Sequence, residues 1–329
     1  MKAVLLDGTG GPEVMRLGEV ERPVPRAGQV LIEVYATSVN RPDVIQRQGN
    51  YPPPPGESEI LGLEVAGSIA ELGEGVDGWK VGDRVMSLVA GGGYAEYATA
   101  YAGHLIPAPE SMSFEEAACV CETYITAFLN VFLIGGLQDG QTALLHGGGG
   151  GVNTAAIQLC RALAPDARII VTASPGKIER VEALGADLVI DYTTQDFDAE
   201  IRTHTGWKGA DVILDHIGGE YLAANMKALA VGGRLVIIGV MGGARAELNL
   251  ATMMVKRQRI IGSVLRSRPV EEKAEITAAF TATVLPYLAD RTIVPRIHEI
   301  MPLERVREAH ETMERSGHFG KIVLAVAQK

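Results

Sequence analysis

The sequence predicts an α/β protein that combines a β-rich part with a doubly wound parallel sheet. Three observations support this. The chain has 329 residues, enough for two domains that each bury a full core. Residues 122–264 alternate apolar strands with helices, an order that gives a parallel sheet. Aromatic residues make up only 5% of the chain and glycines number 39, which favours aliphatic α/β packing with tight turns over a β-sandwich.

Short strands separated by turns are predicted in residues 1–121. Residues 29–39 alternate apolar and polar side chains, as a half-buried strand does. Further strands are predicted within residues 60–72, 80–85 and 94–99. The segment 51–56, Tyr-Pro-Pro-Pro-Pro-Gly, excludes a helix or a central strand because proline lacks the backbone N–H. We expect an ordered or gating loop there.

The second part of the chain predicts six strands and the helices between them. The strands are predicted at residues 142–146, 168–173, 188–191, 211–215, 234–240 and 260–264. The helices are predicted at residues 154–164, 177–184, 221–230 and 250–256.

After residue 264 the alternation stops. The sequence then predicts a helix at 270–288, an extended segment at 296–300, a helix at 303–313 and a strand at 321–326. Because the parallel sheet is already complete, we expect the last strand to return to the first domain. The predicted domains are therefore residues 1–121 with 265–329, and residues 122–264.

A glycine-rich loop is the strongest chemical signal. The run Gly147–Gly151 follows an apolar strand and opens a helix, where a backbone without side chains can approach a pyrophosphate resting on the helix N-terminal amides. Gly148 and Gly151 carry the expected spacing, and Asn153 stands where a third glycine is usual. We expect Asn153 to tolerate the turn because asparagine accepts unusual backbone angles. The loop predicts a dinucleotide cofactor.

The end of the second strand of this sheet bears on which dinucleotide binds. NAD-specific folds usually place a carboxylate there to hold the ribose 2′-hydroxyl. Here the segment carries Ser174 and Lys177 and no carboxylate, which suits a 2′-phosphate and favours NADP. Alternatively, Ser174 caps the next helix and Lys177 is an ordinary solvated lysine.

Charge and cysteine content restrict the partners and the compartment. The formal net charge of −10 argues against a nucleic-acid partner, since phosphate binding needs a basic surface. Cys119, Cys121 and Cys160 are too few for a disulfide framework. No apolar run approaches the roughly 20 residues that span a bilayer, and the first residues resemble a strand rather than a targeting signal. We expect a cytoplasmic protein with no membrane partner.

The chain resembles the zinc-free quinone oxidoreductase branch of the medium-chain dehydrogenase/reductase superfamily, and especially its p53-inducible quinone oxidoreductase group. The resemblance runs nearly from end to end. It is carried by segments 40–43 (Asn-Arg-Pro-Asp), 46–51, 60–64, 91–93, 126–128, 214–219, 239–243, 265–268 and 320–324.

This resemblance implies a GroES-like catalytic domain made from both chain ends, a Rossmann domain for NADPH, and an active site in the cleft between them. It also implies a homodimer paired through the cofactor domain. The residues implied near the nicotinamide and the acceptor are Asn40, Tyr51 and Thr126. Those implied around the adenosine 2′-phosphate are Ser174, Lys177 and Tyr192. The other implied cofactor contacts are Gly148, Gly151, Val152, Ile217, Gly239, Met241, Leu265, Ser267 and Lys321.

The resemblance also bears on metal. Zinc-dependent relatives would place a cysteine near residue 40 and Gly-His-Glu around residue 63, whereas this chain has Asn40 and Leu63. Catalytic zinc needs about three protein ligands, and two of the expected ones are missing. We therefore expect no metal, a structural carboxylate at Glu64, and an Asp43 that orders its loop by accepting from backbone amides. No general acid is evident.

The function expected from these features is NADPH-dependent reduction of small quinones, by transfer from nicotinamide C4 without a metal. Hydride transfer and single-electron transfer are not separated by the sequence. One alternative is an alkenal or enoyl-thioester double-bond reductase, which uses the same fold and cofactor. The other is an NADPH-binding protein with little turnover.

Overall fold

The computed structural model of the protein describes residues 1–326, which form two compact units. Unit 1 consists of Met1–Ile125 and the chain from Leu265 onward, and unit 2 consists of Thr126–Val264. Within the described residues, no helix has the length and apolar character needed to cross a membrane.

The regular elements have the following bounds. The strands are β1 (Lys2–Leu6), β2 (Met15–Glu19), β3 (Gln29–Val39), β4 (Glu64–Leu72), β5 (Arg84–Leu88), β6 (Tyr97–Tyr101), β7 (Leu105–Pro107), β8 (Thr142–His146), β9 (Arg168–Ala173), β10 (Leu188–Asp191), β11 (Ala210–Asp215), β12 (Leu229–Ile237), β13 (Arg259–Gly262), β14 (Ile297–Pro302) and β15 (Lys321–Ala325). The α-helices are α1 (Arg41–Arg47), α2 (Phe114–Ala117), α3 (Cys121–Ala127), α4 (Gly151–Leu163), α5 (Ile178–Glu182), α6 (Phe197–His204), α7 (Leu222–Ala228), α8 (Leu250–Lys256), α9 (Val270–Ala289) and α10 (Val306–Glu314). Single 3₁₀ turns lie at Pro12–Val14, Ala102–His104, Pro175–Lys177, Gly219–Tyr221 and Leu303–Arg305, and a π-helical turn at Phe128–Ile134.

Unit 2 is built on a six-stranded sheet of order β10-β9-β8-β11-β12-β13, in which every pairing is parallel. The doubly wound parallel sheet predicted from the sequence is therefore confirmed. β8, β9 and β10 have the predicted bounds, because buried parallel strands form short continuous apolar runs.

Most of the other bounds in unit 2 differ by a few residues, and the π-helical turn at Phe128–Ile134 was not predicted. Two further differences have a clear physical cause. β12 begins at Leu229 rather than at residue 234, and its pairing with β11 shifts register between the two ends. Gly232 and Gly233 lie in this first half and conceal its strand pattern. Helix α6 was not predicted, because Phe197 and Ile201 are its main apolar residues and give too narrow a stripe.

Unit 1 contains a sheet of order β14-β15-β3-β4-β5-β7, with β6 also paired to β3, and a separate β1-β2 pair. β15 pairs antiparallel with β3 and parallel with β14. The predicted return of the last strand to the N-terminal domain is therefore confirmed. Residues 51–56 are neither helix nor strand, as their prolines require.

Asp43 fixes the start of helix α1 from a fully buried position. One carboxylate oxygen, Oδ2, accepts from the Asn40 backbone N–H (2.8 Å) and from the Tyr94 hydroxyl (3.2 Å). The other, Oδ1, accepts from the Gly62 backbone N–H at 3.0 Å. The expectation that Asp43 orders its loop through backbone amides is thus confirmed. Burial raises the pKa of Asp43 to about 6 against the lowering effect of these donors.

The hydrogen bonds continue from Tyr94 across unit 1. Arg47 has only donors, so its contact with His310 Nδ1 (3.3 Å) makes that nitrogen the acceptor. His310 Nε2 then donates to Tyr94 Oη at 3.1 Å, and Tyr94 donates to Asp43. Burial lowers the pKa of His310 to about 3, in agreement with a neutral ring. These bonds tie helices α1 and α10 to the segment that carries Tyr94.

The close approach at Gly62 generates a test of this packing. Gly62 has φ +100°, and a Cβ there would lie 2.6 Å from Gly93 Cα, which is backbone and cannot swing away. We predict that Gly62→Ala lowers the free energy of unfolding of unit 1 by about 3 kcal/mol, from backbone strain and displacement together. Urea denaturation followed through Trp79, which packs against the unit 1 core, measures it.

Gly75→Ala is the matched control. Gly75 has φ +74°, but no atom lies within 4 Å of the position that its Cβ would take, so only conformational strain of about 1 kcal/mol is expected. Equal losses for the two variants would show that the approach of Gly62 to Gly93 contributes nothing.

Candidate functional site

Helix α4 of unit 2 offers a set of backbone donors suited to a pyrophosphate. It begins at Gly151, and its N-cap residue Gly150 has no side chain to cap the first turn. The first-turn amides of a helix carry partial positive charge and favour an anion. The predicted residues Gly148, Gly151 and Val152 all lie on this loop and first turn. The residues present therefore fit a dinucleotide phosphate.

Asn153 holds the glycine loop in place, for a reason the sequence did not reveal. The backbone φ of Asn153 is not positive, so the expected tolerance of unusual backbone angles plays no part here. Instead its side-chain Nδ2 donates to the backbone carbonyls of His146 and Gly147. The Gly147 N–H in turn donates to the backbone carbonyl of Thr172 (3.0 Å) and to its hydroxyl (3.1 Å). The side chain at position 153 thus fixes a segment that glycine alone would leave flexible.

A second buried network supports the same loop. Asn225 Nδ2 donates to Asp215 (3.1 Å), so its Oδ1 faces His146 Nε2 (2.7 Å) and that nitrogen is the donor. His146 Nδ1 therefore accepts from the Thr172 hydroxyl at 3.1 Å. Burial lowers the pKa of His146 to about 3, as a neutral ring requires. Asp215 also accepts from the backbone N–H of Ile217 (2.7 Å), one of the predicted cofactor contacts.

The residues predicted around a 2′-phosphate lie after β9 and β10. Ser174 is the N-cap of a 3₁₀ turn but makes no side-chain capping bond, so the alternative in which its hydroxyl serves as a cap is wrong. The Lys177 stem packs against the glycine loop, because a Cβ on Gly149 would collide with Lys177 Cδ. Burial, and then the neighbouring Arg180, lower the pKa of Lys177. Tyr192 is 45% exposed.

Parallel pairing places these residues at one edge of the unit 2 sheet. Gly148, Ser174, Tyr192, Ile217 and Gly239 follow β8, β9, β10, β11 and β12 respectively. The carboxyl ends of parallel strands share an edge, which is where ligands of such sheets bind. Met241, on the loop after β12, donates its N–H to the His216 carbonyl at 3.1 Å. Thr126 lies on helix α3, and its carbonyl accepts from Asn130 Nδ2.

Unit 1 brings Asn40 and Lys321 together around Glu64. The Lys321 ammonium lies 2.9 Å from Glu64 Oε1 and contacts Asn40 Oδ1. The side chains of Lys321 and Glu64 are nearly inaccessible to solvent, with 4% and 0% of their surface exposed respectively. Glu64 Oε1 also accepts from the Ser38 hydroxyl (2.6 Å) and from Asn40 Nδ2 (3.0 Å). The expectation of a structural carboxylate at Glu64 is confirmed.

The orientation of the Asn40 amide follows from its partners. Lysine can only donate, so Lys321 faces Asn40 Oδ1, and the Glu64 carboxylate accepts from Nδ2. Nδ2 also donates to the Ser38 carbonyl at 3.3 Å. Asn40 Oδ1 has two lone pairs and Lys321 uses one of them, so the other lone pair can still accept a hydrogen bond.

Tyr51 is held by Arg266, which the sequence did not single out as a site residue. The buried Arg266 guanidinium donates to the Ala90 carbonyl (2.6 Å), to Gln46 Oε1 (2.8 Å) and to the Tyr51 carbonyl (3.3 Å). It also lies 5.1 Å from the centre of the Tyr51 ring. Arg266 therefore attaches the proline segment to helix α1. Its neighbours in the chain are the predicted contacts Leu265, which is buried, and Ser267, which is exposed.

The residues Asn40, Glu64 and Lys321 form a buried polar centre of unit 1. The sequence did not reveal that Glu122 is bonded to it. Glu122 is partly buried near the start of helix α3, and its backbone N–H donates to Glu64 Oε2 at 2.8 Å. Burial, then the charge of Glu64, raise the pKa of Glu122 to about 8. One signal could have found it, since Glu122 is the sole charged residue between Ala117 and Gly135 in the sequence.

The cysteines beside Glu122 in the chain are not reactive thiols. Cys119 and Cys121 are buried, and burial raises the pKa of both, so neither is activated as a thiolate. Within residues 1–326, no group of three or more His, Cys, Asp or Glu side chains is arranged to hold a metal ion.

Comparison with known proteins connects these features to a family. Residues 26–110 match the alcohol dehydrogenase GroES-like domain, and residues 184–324 match the family described as zinc-binding dehydrogenase. The quinone oxidoreductase of Rattus norvegicus is 33% identical over 98% of this chain and 97% of its own length. The quinone oxidoreductase of Homo sapiens is 34% identical over the same shares.

Solved structures agree with this relationship. An NAD-dependent alcohol dehydrogenase is 32% identical, covers 99% of this chain and 100% of its own, and superposes with a TM-score of 0.87. A mycobacterial protein complexed with NADPH is 28% identical over 99% and 100% of the two chains, with a TM-score of 0.88. The CurK enoyl reductase is 27% identical over 99% of both chains, with a TM-score of 0.87. The chain therefore belongs to the medium-chain dehydrogenase/reductase superfamily, among its quinone oxidoreductase-like proteins.

Proposed function

We propose that this oxidoreductase reduces small quinones with NADPH and without a metal. The observation that carries the proposal is the glycine loop with the Lys177 stem packed against it, in a chain similar over nearly its full length to quinone oxidoreductases. When bound, the nicotinamide supplies a hydride equivalent from C4 to the acceptor. The protein's part is to position both reactants and to exclude competing reactions.

The preference for NADPH rests on the segment after β9. Residues 174–177 carry a hydroxyl that makes no capping bond, on Ser174, and the cation of Lys177, and the next turn adds Arg180 together with Glu179. No carboxylate stands at the end of the strand to bind a ribose 2′-hydroxyl. A dianionic 2′-phosphate would be stabilised there by charge-assisted hydrogen bonds.

Metal independence is supported by the residue types at positions 40 and 63 and by the contacts that Glu64 and Asn40 make with Lys321. Position 40 carries an amide and position 63 a leucine, neither of which replaces the cysteine and histidine of zinc-dependent relatives. The Lys321 ammonium, held by Glu64 and Asn40, supplies the positive charge of this centre. Asn40, Tyr51 and Thr126 would then orient the nicotinamide and the acceptor.

A second candidate is reduction of a conjugated double bond. The CurK enoyl reductase, at 27% identity with a TM-score of 0.87, favours it, since an enoyl thioester also accepts hydride from this type of cofactor. Both candidates keep a small-molecule acceptor as the partner. The cytoplasmic location and the homodimer stay predictions.

The proposed function makes a prediction about the acceptor. Initial rates with NADPH and with NADH are measured against a para-quinone, an ortho-quinone and a crotonyl thioester. We expect fast NADPH-dependent turnover of a quinone, with transfer of deuterium from C4-labelled NADPH or a rate effect of that label. Turnover of the thioester alone would instead establish the double-bond reductase, and tight NADPH binding without any turnover would support the binding-protein alternative.

The proposed NADPH preference makes a prediction about the 2′-phosphate. Lys177→Ala should raise the Kd of NADPH about tenfold or more and change the Kd of NADH less than twofold, because it removes one charge-assisted bond to the phosphate. Fluorescence of the bound nicotinamide measures both constants without turnover. Lys208→Ala is the control, since Lys208 is exposed and precedes β11, at the amino edge of the sheet. Equal weakening of NADPH and NADH by Lys177→Ala would contradict the assignment.

A further inference from the structure

The Glu122 backbone is held in place, yet its carboxyl has no partner of its own. The backbone N–H donates to Glu64 Oε2. Within residues 1–326, no hydrogen bond or ion pair to the Glu122 carboxylate is formed, in contrast to Glu64 and Asp43, whose oxygens are saturated by donors. Structural requirements therefore do not account for this carboxyl.

Glu122 borders a small cavity inside unit 1. Its volume is about 10 Å³, close to what one water-sized group occupies. The cavity is lined by Glu122 with Leu88, Val89, Ala90, His104, Leu265, Arg266 and Lys273. Arg266, on this cavity wall, is also the residue that holds Tyr51. The carboxyl thus lies beside the segment proposed to contact the acceptor.

The surroundings of Glu122 favour its neutral form at neutral pH. Burial has the largest effect and the negative charge of Glu64 the next, and together they raise the pKa of Glu122 to about 8. Asp43 acts in the same direction, and Lys321 and Arg266 oppose it. Other titratable groups near this wall include His104, Lys273, Tyr51, Cys121 and Glu57.

We propose that Glu122 is the proton donor of the reaction, which rests on the proposed function of quinone reduction. Hydride from the nicotinamide leaves a negative oxygen on the reduced quinone. The Glu122 O–H bond breaks, its proton bonds to that oxygen, and the carboxylate that remains takes a proton from solvent. Each turnover then consumes one NADPH, one quinone and one proton, and yields NADP⁺ and the hydroquinone.

Other groups of unit 1 are less suited to this step. Lys321 is enclosed by Glu64, Asn40 and the Val39 carbonyl, so its protons are already donated. Burial raises the pKa of Tyr51 above its ordinary value of 10.0, which makes it a weaker acid than Glu122. An acid with a pKa near the working pH transfers a proton most efficiently.

Glu122→Gln tests the proposal. It keeps the shape and the backbone bond to Glu64 and removes the acid. For a para-quinone whose hydroquinone is basic we expect kcat to fall about 10²-fold, with KM little changed. Wild-type kcat should decline as pH rises through about 8, because the protonated form of the acid is lost, and Glu122→Gln should lack this decline. A quinone that yields a less basic hydroquinone should respond less to the substitution.

A measurement on the protein without cofactor or acceptor gives an independent readout. Infrared difference spectra should show a protonated carboxyl band at pH 7 that titrates with a midpoint of about 8 and is missing in Glu122→Gln. Glu115→Gln, a change of the same kind in the preceding segment and away from the cavity lining, should keep the band and the turnover.

The outcomes separate the two levels of the proposal. Quinone turnover that persists in Glu122→Gln with an unchanged pH profile would overturn the role of Glu122 and leave the proposed function standing. A carboxyl already ionised at pH 7 would also overturn it. Absence of quinone turnover in the wild-type protein would end both.

Discussion

The ion pair of Lys321 and Glu64 is the interaction on which unit 1 depends. Both side chains are enclosed, and either charge left alone there would cost several kcal/mol. Lys321 lies on β15, Glu64 on β4, and Asn40, which bonds to both, follows β3. Pairing of β15 with β3 therefore brings Lys321 to its carboxylate partner and also provides hydrogen-bonding partners for the edge of the sheet. This explains physically why the last strand of the chain belongs to the domain formed by its first 125 residues.

The same ion pair influences the pKa values of the neighbouring acids Asp43 and Glu122. Lys321 already donates to Glu64 and Asn40, so it offers no hydrogen bond to the two remaining carboxyls. Asp43 is stabilised instead by two backbone N–H groups and the Tyr94 hydroxyl, and its pKa rises only to about 6. Glu122 has no such donors and faces the charge of Glu64, which raises its pKa to about 8. Hydrogen bonds to its charged form are therefore the reason that Asp43 has the lower pKa of the two acids.

Patterns along the chain predicted what depends on local residues. The bounds of β8, β9 and β10 follow from short apolar runs, and the glycine loop follows from the strand before it and the helix after it. Helix α6 escaped prediction because its buried stripe is too narrow, and the first half of β12 because two glycines interrupt it. The contacts of Arg266 and Glu122 escaped for another reason. Their partners lie far away in the sequence, so no local pattern records them.

Both units hold their sites with polar side chains that bond to the backbone. A run of five glycines has many accessible conformations, and ordering it only upon binding would weaken affinity. Asn153 and Thr172 remove that cost beforehand by bonding the loop's carbonyl and amide groups. In unit 1, Asp43 and Arg266 do the same for the start of α1 and for the proline segment. Because these side chains are engaged by the protein itself, they define geometry. Within the described part of unit 1, the Glu122 carboxyl forms no such bond, so it stays available to exchange a proton with a ligand.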